Sequence, residues 1–270
     1  DVALPISYTF TNTNGCTESA FDDVEVFELP VVTFTALADL CIDAGVQSGL
    51  GGGTPTGGTY SGTGVTDDGN GETYSFDPMS AGVGTHTVTY TYTDANGCSA
   101  SASDDIEVFA LPNVTFNSRF SNVCVDEAAA LDLRAGIPVG GIYSGPGVTD
   151  AGNGEEYVFN PATAGVGTHI LTYTFTDGNG CTNSATDMVT VFALPTVAFT
   201  SLADLCVDAG VQTDIDGGTP TGGVYSGPGV TDNGQGTGYT FRPTDAGTGT
   251  HIITYTFTDV NGCTASDSEE

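Results

Sequence analysis

An all-β fold built from repeated two-layer sandwiches follows from three features of the sequence. Side chains alternate with period two over long stretches, Asn-Gly pairs sit at the ends of those stretches, and the whole pattern recurs about every 82 residues. Such alternation marks half-buried antiparallel strands. Asn-Gly is a favoured pair for a tight hairpin, and a fixed period marks a tandem array.

Several residue series keep the register. Leu-Pro occurs at Leu29-Pro30, Leu111-Pro112 and Leu194-Pro195, spaced by 82 and then 83. A cysteine follows each Asn-Gly pair at Cys16, Cys98, Cys181 and Cys263, and a second series stands at Cys41, Cys124 and Cys206. His86, His169 and His251 recur with them, as do "GGTYSGTGVTD", "GGIYSGPGVTD" and "GGVYSGPGVTD". The 270 residues divide into the closing hairpin of one unit (1–29), two full units (30–111 and 112–194) and a third whose last strand is cut short (195–270). Both ends fall inside a unit, so the chain reads as a slice of a longer array.

Within the first full unit the elements follow in order. "VVTFT" (31–35) opens it as a short strand. "GVQSGL" (45–50), "GGTYSG" (57–62) and "TYSFDP" (73–78) are further short strands punctuated by glycine and proline. "HTVTYTYTD" (86–94) puts Val88, Tyr90 and Tyr92 on one face and Thr87, Thr89 and Thr91 on the other. "DANGC" (94–98) is the turn, and "SASASDDIEVF" (99–109) returns with Ile106 and Val108 facing inward. No segment has a helical period. Six or seven short strands in about 82 residues predict a small immunoglobulin-like sandwich with strands A, B, C, E, F and G. Its core is thin, and domains of that size gain from disulfides. Only "ALP" joins one unit to the next; proline restricts itself and the residue before it, so the units are expected end to end in a stiff row.

Composition narrows the partners. Asp and Glu number 34 against three basic side chains, Arg119, Arg134 and Arg242, for a net charge of -31. That field repels nucleic-acid phosphates and anionic lipid, so neither nucleic acid nor membrane insertion is expected. No apolar run approaches the ~20 residues of a membrane helix. The 39% hydrophobic content, laid out in ordered alternation, argues against disorder. Lysine is absent, which excludes Lys-Asn isopeptide cross-links.

The pattern "GGxYSGxGV…FxPxxAGxGTHxxTYTxTDxNGC" spans every full unit. It resembles the immunoglobulin-like, PKD-like tandem repeats of giant Bacteroidota cell-surface proteins, of which the SprB-like gliding-motility adhesins and other type IX-secreted proteins are examples. The resemblance implies an extracellular, cell-surface location and a structural or adhesive role, and it supplies no catalytic residue.

Cysteines in fixed register in an acidic β chain point to disulfides in an oxidising, extracellular setting. No Cys-x2-Cys pair is present for zinc. Two pairings remain open. Within a unit, Cys41-Cys98, Cys124-Cys181 and Cys206-Cys263 are each 57 residues apart. Between neighbours, the pairs are Cys41-Cys181 and Cys124-Cys263. Topology favours the second, because the A-B connection and the F-G turn lie at opposite poles, roughly 20–25 Å apart. A disulfide needs Cα atoms about 4.4–6.8 Å apart. A non-standard A-B crossover restores the first.

If Cys41 meets Cys181, then Asp39, Asp43, Asp177 and Asn179 gather oxygen ligands that suit calcium. The next junction offers Asp126, Asp259 and Asn261, with Ala128 in place of an acid. Asp67, Asn70 and Glu72 form a second candidate loop, although turn-building explains each loop singly. His86, His169 and His251 are too far apart in sequence to converge in a linear array, and a strand-edge structural role is expected of them. Tyr60, Tyr143 and Tyr225 are expected in the core rather than stacked on a sugar. No Ser-His-Asp set recurs, so no catalysis is expected. The sequence therefore predicts an extracellular stalk or filament with neighbouring repeats as its partners. The rival readings are an array binding a surface glycan weakly at each unit and a homo-oligomeric, laterally assembling fibre.

Overall fold

The computed structural model describes residues 2–118, 122–200 and 202–270. These fall into two compact units, Asp1–Pro112 together with Thr176–Thr182, and Asn113–Phe175 together with Asn183–Glu270. The architecture is all-β throughout, made of tandem immunoglobulin-like sandwiches.

The first unit opens with a two-stranded ribbon, β1 (Val2–Thr11) and β2 (Thr17–Val26), paired antiparallel from Val2↔Val26 to Thr11↔Thr17. The sandwich follows: β3 (Leu40–Cys41), β4 (Gln47–Leu50), β5 (Thr59–Ser61), β6 (Val65–Asp67), β7 (Tyr74–Phe76), a helical turn α1 (Pro78–Ala81), β8 (Gly84–Thr93) and β9 (Ser99–Phe109). One sheet has the order β3-β9-β8-β5 and the other β4-β7-β6. The alternating inward residues of the two sheets meet as Tyr60, Tyr74, Phe76, Val88, Tyr90, Ile106 and Val108.

In the second unit the pattern is repeated twice. The first copy comprises β10 (Thr115–Phe116), β11 (Asn122–Cys124), β12 (Ala130–Leu133), β13 (Gly136–Ile137), β14 (Ile142–Ser144), β15 (Val148–Asp150), β16 (Tyr157–Phe159), α2 (Pro161–Ala164), β17 (Gly167–Thr176) and β18 (Thr182–Phe192). The second comprises β19 (Gln212–Ile215), β20 (Val224–Ser226), β21 (Val230–Asp232), β22 (Tyr239–Phe241), α3 (Pro243–Ala246), β23 (Ile253–Thr258) and β24 (Thr264–Glu269). Each copy has its own core, one centred on Tyr157, Phe159 and Tyr173, the other on Tyr239 and Tyr255.

Three local features depart from the sequence reading. The "VVTFT" segment makes only an isolated bridge, Thr33↔Thr54, rather than a strand. Two short strands, β3 and β6, form where none was expected. A single helical turn follows "TYSF", because Asp77 caps the Met79 N–H and Pro78 presets the first helical residue. Four residues are too few to show a period.

A tyrosine pair pins each sandwich. The Tyr90 hydroxyl donates to the Pro55 carbonyl and accepts the Gly58 N–H at 2.8 Å. The Tyr60 hydroxyl donates to the Glu72 carbonyl and accepts the Gly53 N–H, both at 3.1 Å. A Cβ on Gly53 or Gly58 would lie 2.6 Å or less from the Tyr90 ring, which is why both positions are glycine.

Candidate functional site: the cysteine junctions

The "DANGC" motif builds a loop that presents a thiol. In the copy at 177–181, Asp177 Oδ1 accepts the N–H groups of Asn179 and Cys181 at 2.9 and 3.0 Å. The Asp177 N–H donates to the Cys181 carbonyl at 2.9 Å, and Gly180 turns the chain at φ +84°. Asp94 and Asp259 do the same for Cys98 and Cys263, and Asn12 substitutes for Cys16. The aspartate closes the loop and the glycine supplies the positive φ, so the cysteine emerges at the tip in one fixed orientation.

The other thiol is placed by β3. This strand runs parallel to β9, with Leu40 opposite Val108 and Cys41 opposite Phe109. The Ile42 N–H donates to the Phe109 carbonyl at 2.9 Å. Asp39 Oδ1 accepts the Glu107 N–H at 2.9 Å and fixes the approach. Leu40 packs against the core and anchors the register. In the second sandwich, β11 pairs with β18 in the same way, with Cys124 opposite Phe192.

Cys41 is bonded to Cys181 and Cys124 to Cys263, each with Cα atoms 5.5 Å apart. Cys181 and Cys263 are fully buried, and Cys124 nearly so. Cys16, Cys98 and Cys206 are free thiols. The 57-residue pairs Cys41-Cys98, Cys124-Cys181 and Cys206-Cys263 are not formed. The reason is the length of β9: Cys98 precedes its first residue and Cys41 adjoins its last, which puts them roughly 35 Å apart at ~3.3 Å per residue.

Three of the acids around the junctions, Asp39, Asp177 and Asp259, are engaged by backbone N–H groups. Asp177 is engaged by its own turn and Asp39 by the Glu107 N–H, while Asp43 and Asn179 are exposed. Asp126 is also exposed, and Asp259 closes the turn before Cys263. In the loop at 67–73, Asp67 accepts the N–H groups of Gly69 and Tyr60, and Asn70 those of Glu72 and Thr73. Among the described residues no three His, Cys, Asp or Glu side chains come together as metal ligands. Asp39, Asp67, Asp177 and Asp259 cap backbone N–H groups.

The remaining candidates serve the fold. His86, His169 and His251 each bond through Nε2 to the carbonyl of Gly82, Gly165 and Gly247, at 2.8, 2.7 and 3.0 Å. Tyr60, Tyr143 and Tyr225 are buried. No helix of the described residues is long and apolar enough to cross a membrane. The strand β3 and the capping Asp39 escaped sequence reading, since two residues flanked by "AD" and "ID" show no period. The recurring Leu-Cys pair at 205–206 and the Asp-Leu-Cys at 204–206 were the available signal.

No protein-family model matches the chain, and no curated protein matches it. Among solved structures, it is similar to a calcium-stabilised adhesin with which an Antarctic bacterium reaches out and binds ice. The two are 18% identical with a TM-score of 0.41, over 99% of this chain and 80% of that one. A second similar structure belongs to a 1.5-MDa bacterial ice-binding adhesin, 16% identical with a TM-score of 0.35, over 86% and 91% of the two chains. A third is protocadherin gammaB7 EC3-6, 12% identical with a TM-score of 0.28, over 88% and 72%. All three scores fall below 0.5, so the functional reading rests on the geometry of this chain alone.

Proposed function

We propose that the chain is part of an extracellular stalk or filament on a cell surface, giving length, stiffness and presentation for adhesion or gliding motility. The type IX secretion route belongs to the same proposal, by resemblance of the repeat. The role is mechanical, and the chain is not an enzyme.

The observation that supports this reading is the pair of interlocked disulfides. Each ties the end of one repeat to the hairpin tip of the next, across 140 and 139 residues. Because the two loops overlap, unfolding under tension releases little chain. The shortest covalent path runs through 1–41, 124–181 and 263–270, roughly 110 residues and ~370 Å fully extended. The reduced chain of 270 residues would extend to roughly 950 Å.

Single-molecule stretching tests this. Oxidised protein should stop at about two-fifths of the contour length of reduced protein. Equal extension in both states would remove the mechanical argument. Antibody labelling of intact cells tests the location, and a signal seen only after lysis would overturn it.

A further inference from the structure

Asparagine precedes glycine at seven places in the chain. Two kinds of loop hold these pairs inside the sandwiches. Asn179-Gly180 and Asn261-Gly262 form the hairpin turns before the bonded cysteines Cys181 and Cys263. Asn70-Gly71, Asn153-Gly154 and Asn233-Gly234 lie in the loops that join β6 to β7, β15 to β16 and β21 to β22. All five of these asparagines are exposed. They differ in what holds the side-chain amide.

In the β6–β7 loop, Asn70 Oδ1 accepts the N–H groups of Glu72 and Thr73, and its Nδ2 donates to Thr73 Oγ1, all at 2.8 Å. Asn153 Oδ1 accepts the N–H groups of Glu155 and Glu156, and its Nδ2 donates to Glu156 Oε2, all at 2.9 Å. Asn233 Oδ1 accepts the Gln235 N–H at 2.9 Å, and its Nδ2 donates to Thr237 Oγ1 at 3.0 Å. These three amides are pinned at both ends. The Asn179 amide has no such bond among the described residues. Asn261 has one, from Nδ2 to Asp259 Oδ2 at 3.2 Å, which leaves its Oδ1 free.

The glycine nitrogen that follows each unpinned amide is loosely held. The Gly180 and Gly262 N–H groups reach the Asp177 and Asp259 carbonyls at 3.2 and 3.1 Å, the long end of the hydrogen-bond range. At either glycine, the place a Cβ would occupy has nothing within 4 Å, so the space around it is open.

We propose that Asn179 and Asn261 are sites of spontaneous deamidation through a cyclic imide. The Gly180 nitrogen attacks Cγ of Asn179. The bond from that nitrogen to Cγ forms, the bond from Cγ to Nδ2 breaks, and the nitrogen's proton leaves with Nδ2 as ammonia. Water then opens the imide, since the chain has no lysine to intercept it. Attack at Cγ gives aspartate. Attack at the main-chain carbonyl carbon gives isoaspartate, with the main chain rerouted through Cβ and Cγ. No electron is gained or lost. Either product adds a carboxylate beside the junction. Isoaspartate also lengthens by one atom the loop that Asp177 closes through the Cys181 N–H. The bond to Cys41 is kept while the turn behind it changes, so the junction carries a mark of its age. The inference does not depend on a stalk role.

The test is ageing of the whole oxidised chain at neutral pH in heavy-oxygen water, followed by digestion and mass mapping. An isoaspartyl methyltransferase with a labelled methyl donor counts the isoaspartate. Heavy oxygen should enter first at Asn179 and then at Asn261. Asn70, Asn153 and Asn233 should lag by about tenfold or more, since two or three hydrogen bonds must break before their imides can close. In reduced, denatured chain the five sites should converge. Asn179→Gln should remove the isoaspartate of that turn alone. Amides at Asn179 and Asn261 that persist in the folded chain overturn the proposal. So do pinned asparagines that keep pace with them, or a difference between the two kinds of loop that survives denaturation.

Discussion

Cys41 lies opposite Phe109, in parallel, at the far end of the strand that begins one residue after Cys98. One short parallel pairing therefore assigns the thiols. It carries Cys41 to the end where the chain leaves the sandwich and away from the turn of its own hairpin. The partner is then the equivalent turn in the following repeat, at Cys181.

Removing that bond should be costly and specific. By the chain-entropy account, opening a 140-residue loop costs about 5 kcal/mol. Cys41→Ser and Cys181→Ser should each lower the denaturation midpoint of oxidised protein by the same amount, and the double variant should add nothing. Cys98→Ser should stay within about 0.5 kcal/mol of the parent.

The buried tyrosines should separate into two classes. The Tyr255 hydroxyl donates to the Pro220 carbonyl and accepts the Gly223 N–H at 2.8 Å. Tyr255→Phe leaves both groups without it, at a cost of about 1–3 kcal/mol. The Tyr239 hydroxyl is buried with no hydrogen-bond partner among the described residues. Tyr239→Phe should be neutral or mildly stabilising in the same denaturation assay.

Tyr239 should also shape the alkaline limb. Burial, with a smaller contribution from Tyr225, pushes its hydroxyl up to about 12 from a usual value of 10.0. Above pH 10 the unfolded chain gives up this proton while the folded chain keeps it, so stability falls as pH rises from 10 towards 12. Denaturation midpoints across that range should decline less steeply in Tyr239→Phe.

Divalent cations should act without a dedicated site. With Asp39 and Asp177 engaged by backbone N–H groups, calcium and magnesium should raise the melting temperature equally, through screening of the net charge. A rise with calcium alone, saturating at a fixed stoichiometry, would show that the junction carboxylates rearrange around it.

Much of this was visible in the sequence where a physical rule is local. Period-two alternation gave β8 and β9, and Asn-Gly gave the turn between them. What escaped depends on contacts distant in the chain. Nothing local in "DLCI" announces that Asp39 will bond the Glu107 N–H 68 residues later, or that Leu40 will align with Val108. The engagement of the junction acids was hidden for the same reason. Asp177 was read by its charge, but its neighbours in space are the N–H groups of its own turn, and those claim its oxygen first.

The overlap of the two cross-linked loops has a consequence for damage. A protease that cuts any one peptide bond between Cys41 and Cys263 leaves both halves attached. A nick before Cys124 or after Cys181 is spanned by one sulfur bridge, and a nick between them by two. The chain can be broken once anywhere between Cys41 and Cys263 and still hold together as one molecule.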